Sequence, residues 1–448
     1  MPADPGWDRL MRVHAAPDSD APVTEGAGAS PLPLLSGALK SRALHLVGAL
    51  TEILRPGPDP APDAGHRDAS LSFGSAGLAV CDAQLARTRH DRRAADTALG
   101  RLEEAIDVLA TEPLTSSLYS GFTGIAWAAE TTDRLLGTEG EKDRNGDIDE
   151  ALTSLLRRYP EHAPYDLIHG LAGIGVYALA RWPRPGATQC ILGVLEQLAE
   201  RARYDRHGVY WWTPPSWLGA RQDYYRPGGI DLGVAHGVAG VIPFLGRVTS
   251  LGLATQTARP LLDGAVSWLL AHLVETAAGP TVPKFVADGV ELEPARTAWC
   301  YGDPGVAAAL LLAARDVGEP AWAAEATALA MGAANRPPDQ TGVVDAGLCH
   351  GSAGLAHLFN RMYQMTAEPT LADAARFWVE RTLELCSATL ARDATRTDAA
   401  RVAWKGPGLL EGAAGVVLAL EAACTTVEPI WDQMLLVSTT GIPGVPAK

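Results

Sequence analysis

The sequence predicts an all-α fold, an α/α toroid (barrel) of seven inner and seven outer helices. Three observations carry that prediction. A Gly-x-x-G motif recurs with its first glycine at Gly74, Gly121, Gly170, Gly237, Gly302, Gly351 and Gly412, at intervals of 47, 49, 67, 65, 49 and 61 residues. Nearly every motif opens a run that is apolar on most sides, as in IAWAAE after Gly124, IGVYALA after Gly173 and VVLALEAA after Gly415. Upstream of the motifs lie amphipathic stretches, such as RRAADTALGRLEEAIDVLA and LADAARFWVERTLELC. A helix apolar all round belongs in a core, and one with a charged face belongs outside it. Repeated alternation of the two, at periods of this length, is the signature of a repeat architecture. The paired glycines fit where the chain must turn sharply into a crowded inner helix.

Taken in order, residues 1–34 are rich in Pro, Ala, Asp and Gly, lack periodicity and are expected to form a mobile arm. The toroid is assigned to residues 35–436. Within it, residues 139–149 (EGEKDRNGDID) read as a charged, solvated surface loop. Residues 205–229 (DRHGVYWWTPPSWLGARQDYYRPGG) form an aromatic, Pro-rich insertion expected to make loops or a short hairpin at the rim. Its aromatics either line a peptide-binding groove or pack the loop itself. Residues 437–448 are read as a C-terminal tail.

Composition bounds the function. The chain has 448 residues and a net charge of −15, which disfavours nucleic-acid partners. Its longest apolar runs, such as VAAALLLAA after Gly305, are too short to span a bilayer. There is no signal-peptide pattern at the N-terminus. The six cysteines show no disulfide spacing, so a reducing, cytoplasmic setting is expected.

The repeat also gathers chemistry. If all inner helices start at one end, the residues just before each Gly-x-x-G converge near the axis. One position before the first glycine stand Phe73, Ser120, His169, His236, Tyr301, His350 and Glu411, and two before stand Cys300 and Cys349. Cys300, Cys349 and His350 make a soft Cys₂His donor set that suits one zinc with an open fourth position. Two thiolates cancel the ion's charge and leave it better fitted to bind and acidify a thiol than to make hydroxide. That points to alkylation of a thiol or its addition to a double bond. His236 and Asp166, on the same rim, can supply the general acid and base. His169 shares their register without a decided role. Arg296 either stabilises an enolate or carbonyl oxygen or makes a rim salt bridge. The other four cysteines, Cys81, Cys190, Cys386 and Cys424, fall inside helical runs and read as packing.

Four motifs together resemble the lanthionine synthetase C family of lanthipeptide cyclases: DLIHGLAG at 166–173, AHGVAG at 235–240, WCYGDPG at 299–305 and CHGSAG at 349–354. The resemblance implies an α/α toroid with zinc at one end, held by Cys300, Cys349 and His350. It implies active-site roles for His236, Asp166, Arg296 and Tyr301. The implied substrate is a precursor peptide already dehydrated by a separate enzyme, and an export transporter is a further implied partner. A Cys thiol of that peptide adds to dehydroalanine or dehydrobutyrine and closes a thioether ring. Three other readings stand beside it: addition of glutathione or another small thiol, a non-catalytic zinc-stabilised peptide-binding scaffold, and a prenyltransferase-like toroid.

Overall fold

Each inner helix begins where the chain's own incoming loop crosses its first turn, and glycine is the only residue that allows this. A Cβ on the second glycine of every motif would stand 1.9–2.4 Å from the carbonyl oxygen six residues earlier. Thus Gly77 meets Leu71, Gly240 meets Val234, Gly305 meets Trp299 and Gly354 meets Leu348. The glycines are therefore required by close approach. Six of the seven first glycines have ordinary extended backbone; Gly302 alone, at φ +122°, also needs conformational freedom.

A computed structural model of the chain describes residues 33–56, 68–138, 143–218, 228–276, 279–393 and 403–439. The arm assigned to residues 1–34 lies outside them except at its end, where Leu34 is buried. Residues 440–448 of the tail also lie outside, whereas Val437 and Ser438 are buried.

Fourteen α-helices occur among the described residues. The inner seven are α2 (Ser75–Arg89), α4 (Phe122–Leu136), α6 (Leu171–Arg181), α8 (Val238–Ser250), α10 (Asp303–Val317), α12 (Ser352–Thr366) and α14 (Ala413–Cys424). The outer seven are α1 (Gly37–Leu54), α3 (Arg92–Thr111), α5 (Gly146–Leu156), α7 (Pro185–Arg201), α9 (Thr255–Ala271), α11 (Pro320–Ala334) and α13 (Pro369–Asp393). Inner helices touch in cyclic order and α14 returns to α2, so the barrel closes. Burial follows suit: residues 303–314 of α10 are buried without a break, whereas α3 buries one stripe of Ala95, Ala98, Arg101, Leu102 and Ala105.

Above the inner helices the loops are stitched into a ring by backbone hydrogen bonds between equivalent residues. The amide of Ser72 donates to the carbonyl of Tyr119 at 3.0 Å, Ile168 to Ala235 at 3.3 Å, and Ala235 to Cys300 at 3.3 Å. Cys300 donates to Cys349 at 3.3 Å, Cys349 to Leu410 at 2.8 Å, and Leu410 to Ser72 at 3.2 Å. The remaining link is made by a side chain, with Ser117 Oγ donating to the Ile168 carbonyl at 2.7 Å. All seven units are joined.

The axis below this ring is filled by the 3₁₀ segment Ile430–Leu435, which touches α4 and α6. Tyr119 Oη donates to the Met434 carbonyl at 2.6 Å, and the Trp299 indole N–H to that of Leu435 at 2.8 Å. Asp432, fully buried, meets His357 Nε2 at 3.0 Å and Arg361 Nε at 2.8 Å.

The expectation of a solvated loop at 139–149 is corrected in part. Residues 139–142 are outside the described set, but α5 already starts at Gly146. Asp149 is buried and binds Arg181 at 2.8 Å, and Asp143 reaches the same guanidinium at 3.0 Å. The charges serve a buried cation from another helix, which a local reading of composition does not reveal. The insertion near 205–229 does supply a hairpin, β1 (Arg203–Asp205) with β2 (Gly208–Tyr210), followed by a 3₁₀ turn at Pro215–Trp217. Its residues 219–227 lie outside the described set. A short strand, β3 (Ile230–Asp231), follows. Further on, β4 (Val274–Thr276) pairs with β5 (Gly279–Thr281), and β6 (Phe285–Val286) pairs back onto β3.

Candidate active site

Because the ring places equivalent residues side by side, chemistry separated by tens of positions in sequence meets at one mouth. Cys300, Cys349 and His350 offer ligand atoms that all lie within 4.8 Å of one another. Cys300 is buried, and Cys349 and His350 are partly exposed. Two sulfurs and an imidazole this close are a donor set able to hold a metal ion. A hydrogen bond from Cys349 holds the Cys300 thiol well below the ordinary range and pushes Cys349 above it. Bonding to the Cys300 sulfur raises His350, with Asp345 adding to the effect; its Oδ2 stands 3.7 Å from His350 Nε2.

The neighbouring sector holds the second group. His236 Nδ1 lies 2.6 Å from Asp166 Oδ2, and the other Asp166 oxygen accepts the His169 amide at 2.7 Å. Asp166 is thus buried and fixed at both oxygens, whereas the His236 side chain remains 32% exposed to the mouth. The His169 ring sits 5.7 Å from that of His236, and burial lowers its proton affinity. On the side of the cysteines the Tyr301 ring is 6.1 Å from His236. The Tyr301 hydroxyl donates to Asp231 Oδ2 at 3.0 Å. Tyr301 follows Cys300 directly, so it spans the gap between the two groups.

Arg296 is exposed and makes no ion pair among the described residues. Its charge adds to the lowering of the Cys300 thiol. The remaining cysteines are packing thiols as expected: burial pushes Cys386 and Cys424 up to about 12, and raises Cys81 and Cys190 as well.

Two carboxylates here escape a reading confined to the positions just before each glycine. Asp231 and Asp345 stand six before Gly237 and Gly351, and Asp68 stands six before Gly74. Each accepts the amide two residues on, at 2.8, 2.9 and 2.8 Å, closing an Asx turn that starts the loop. The signal was an Asp at a fixed offset. In two units its second oxygen is turned to the site, toward Tyr301 and toward His350.

A closed α/α toroid carrying a Cys₂His cluster beside a carboxylate-bound histidine defines a class of protein. Residues 65–436 match the family described as lanthionine synthetase C-like protein, and the chain belongs to that family. No curated protein matches the sequence. Among solved structures the fold is similar to that of "Nisin cyclase", with a TM-score of 0.67 and 20% identity over 89% of this chain and 97% of that one. Among the described residues no helix is long and apolar enough to cross a membrane.

Proposed function

We propose that the protein is a zinc-dependent lanthipeptide cyclase, which adds peptide Cys thiols to dehydroalanine or dehydrobutyrine and so forms (methyl)lanthionine rings. The observation that carries this reading is the Cys300–Cys349–His350 cluster, set one unit away from the Asp166–His236 pair. A zinc ion held by those three residues would bind an incoming thiol and lower its pKa toward neutrality.

The chain's own residues manage the protons. With Asp166 on Nδ1, His236 keeps Nε2 for the substrate, in the tautomer that the carboxylate dictates. It takes up the thiol proton as base. Sulfur then bonds to the β-carbon, the C=C π electrons move onto the α-carbon and its carbonyl, and the α-carbon receives a proton from the imidazolium. No atom is lost or gained overall. Asp166 stabilises the imidazolium while it exists. Arg296, exposed at the mouth, offers a cation to the enolate oxygen. The substrate is a precursor peptide dehydrated elsewhere; a separate dehydratase and an export transporter are the expected partners, and the setting is the cytoplasm.

The test is mass spectrometry of a dehydrated peptide incubated with the protein and free glutathione. Loss of alkylatable thiol without mass change supports the cyclase. Glutathione adducts that depend on the protein support the small-thiol reading, and binding without either product supports the scaffold.

A further inference from the structure

Beside His236, on the side away from the cysteines, lies a cavity of about 280 Å³ lined by Pro164, Asp166, His169, Thr213, Trp217, Leu218, Asp231 and His236. That volume falls at the small end for ligand sites and suits one large side chain better than a folded peptide segment. Its outer wall comes from the insertion, so it is no product of the repeat itself. That wall is fixed in place. Trp217 packs on Tyr165 with ring centroids 6.1 Å apart, Leu218 packs against Phe285, and Thr213 pairs with Gly229 through two backbone hydrogen bonds of 2.7 and 3.0 Å.

The carboxylates and the hydroxyl of the lining are already engaged inside the protein. Asp166 uses one oxygen on His236 and the other on the His169 amide. Asp231 uses one on Gly233 and the other on Tyr301. Thr213 Oγ lies 3.1 Å from the Tyr165 hydroxyl. A guest therefore meets indole, leucine and proline carbon beside the His169 and His236 rings, over a floor of carboxylates that disfavours an acidic group. Satisfied polar groups gain little from a new charge, whereas apolar surface gains by being covered.

We infer that this cavity is a specificity pocket for a large apolar side chain flanking the dehydroamino acid of the substrate. The inference rests on the cyclase reading, because it is that reading which puts the double bond at His236 and the thiol at the cysteines. A thiol bound over Cys300 and Cys349 leaves the His236 sector for the other reacting residue, whose neighbour then falls beside Trp217 and Leu218. The pocket thereby ranks the double bonds of a peptide that holds several.

The probe is a set of Cys-free hexapeptides with one central dehydroalanine and Phe, Gly, Lys or Asp at both flanking positions, titrated into the zinc-loaded full chain by calorimetry. Ring closure of Cys-containing versions is followed in parallel. The expected result is binding of the Phe peptide about tenfold or more tighter than the Gly peptide, with the Asp peptide weakest. Trp217→Ala is expected to narrow the Phe-to-Gly ratio to about twofold, with zinc retained, and Trp217→Phe to restore most of it. If Trp217→Ala does not fold, Leu218→Ala and the wild-type ranking decide the matter. Equal binding of all four peptides, tighter binding of the Lys or Asp peptide, or an unchanged ratio in the variants overturns the pocket. Ranked binding with no ring closure leaves the pocket standing and overturns the cyclase reading instead.

Discussion

The amide of Cys300 donates to the carbonyl of Cys349 across 3.3 Å, so the two thiols are held together by main chain. Their side chains leave adjacent links of the same ring. Replacing either cysteine by alanine removes no backbone group, so that hydrogen bond and the helices should persist. Cys300→Ala and Cys349→Ala should therefore lose most of about one zinc per chain, measured by elemental analysis, with helical circular dichroism unchanged. Full zinc in both variants would sink the assignment.

His236→Asn should keep the metal and still bind a dehydrated peptide, but lose ring closure by about 10²–10⁴-fold, the usual range for a general acid or base. Asp166→Asn should lose a large part of the same factor, because the wrong tautomer would then be favoured at the 2.6 Å contact. Ring pattern and stereochemistry must be scored with rate, since free dehydroalanine also reacts unaided. A wild-type rate in His236→Asn would make it a structural histidine.

The Arg181 guanidinium is fully buried among Asp149, Glu130 and Asp143. Asp143 is 44% exposed and contributes little, and Glu130 also holds Arg184, so the loss falls mainly on Asp149, which is 5% exposed. Arg181→Met should cost about 3–5 kcal/mol in denaturant unfolding by leaving buried Asp149 with no cation and only the Tyr177 hydroxyl at 2.7 Å, whereas Glu130 keeps Arg184 at 2.7 Å. A change within about 0.5 kcal/mol would show that water replaces the cation there.

Burial lowers the proton affinity of His357 below the ordinary 6.5, against the opposing pull of Asp432, with Arg361 and Glu428 also facing it. The unfolded chain thus takes up this proton first as pH falls. Stability from the neutral imidazole is complete above about 6.5 and is lost as pH drops through that value toward the folded one. Wild type should lose melting temperature faster than His357→Gln between pH 7.5 and 5.5. Parallel slopes would refute this.

How much of this was legible follows from what repeats. Cys300, Cys349, His350, His236 and Asp166 announce themselves because each occupies a fixed offset from a glycine that cannot vary. Asp231 and Asp345 were equally periodic, but at an offset two to five residues farther upstream. The outer helix Pro320–Ala334 was harder to see, since Ala326, Leu329, Ala330 and Ala333 pack inward while small residues cover the other faces in place of charge. The partners of Arg181 were not legible at all. They lie 32, 38 and 51 positions away, and no local pattern states which charge a loop will meet.

The stitched ring also governs how the molecule comes apart. In an open stack of repeats the end units touch one neighbour and peel first. Here Leu410 leads back to Ser72, and the Leu35 amide binds the carbonyl of Ala423, so every unit has two flanking units and none is terminal. Opening one seam removes support from both sides of the break. The barrel should therefore melt in a single step, and moving the chain's ends to another inter-unit loop, by circular permutation, should leave both the fold and the mouth intact.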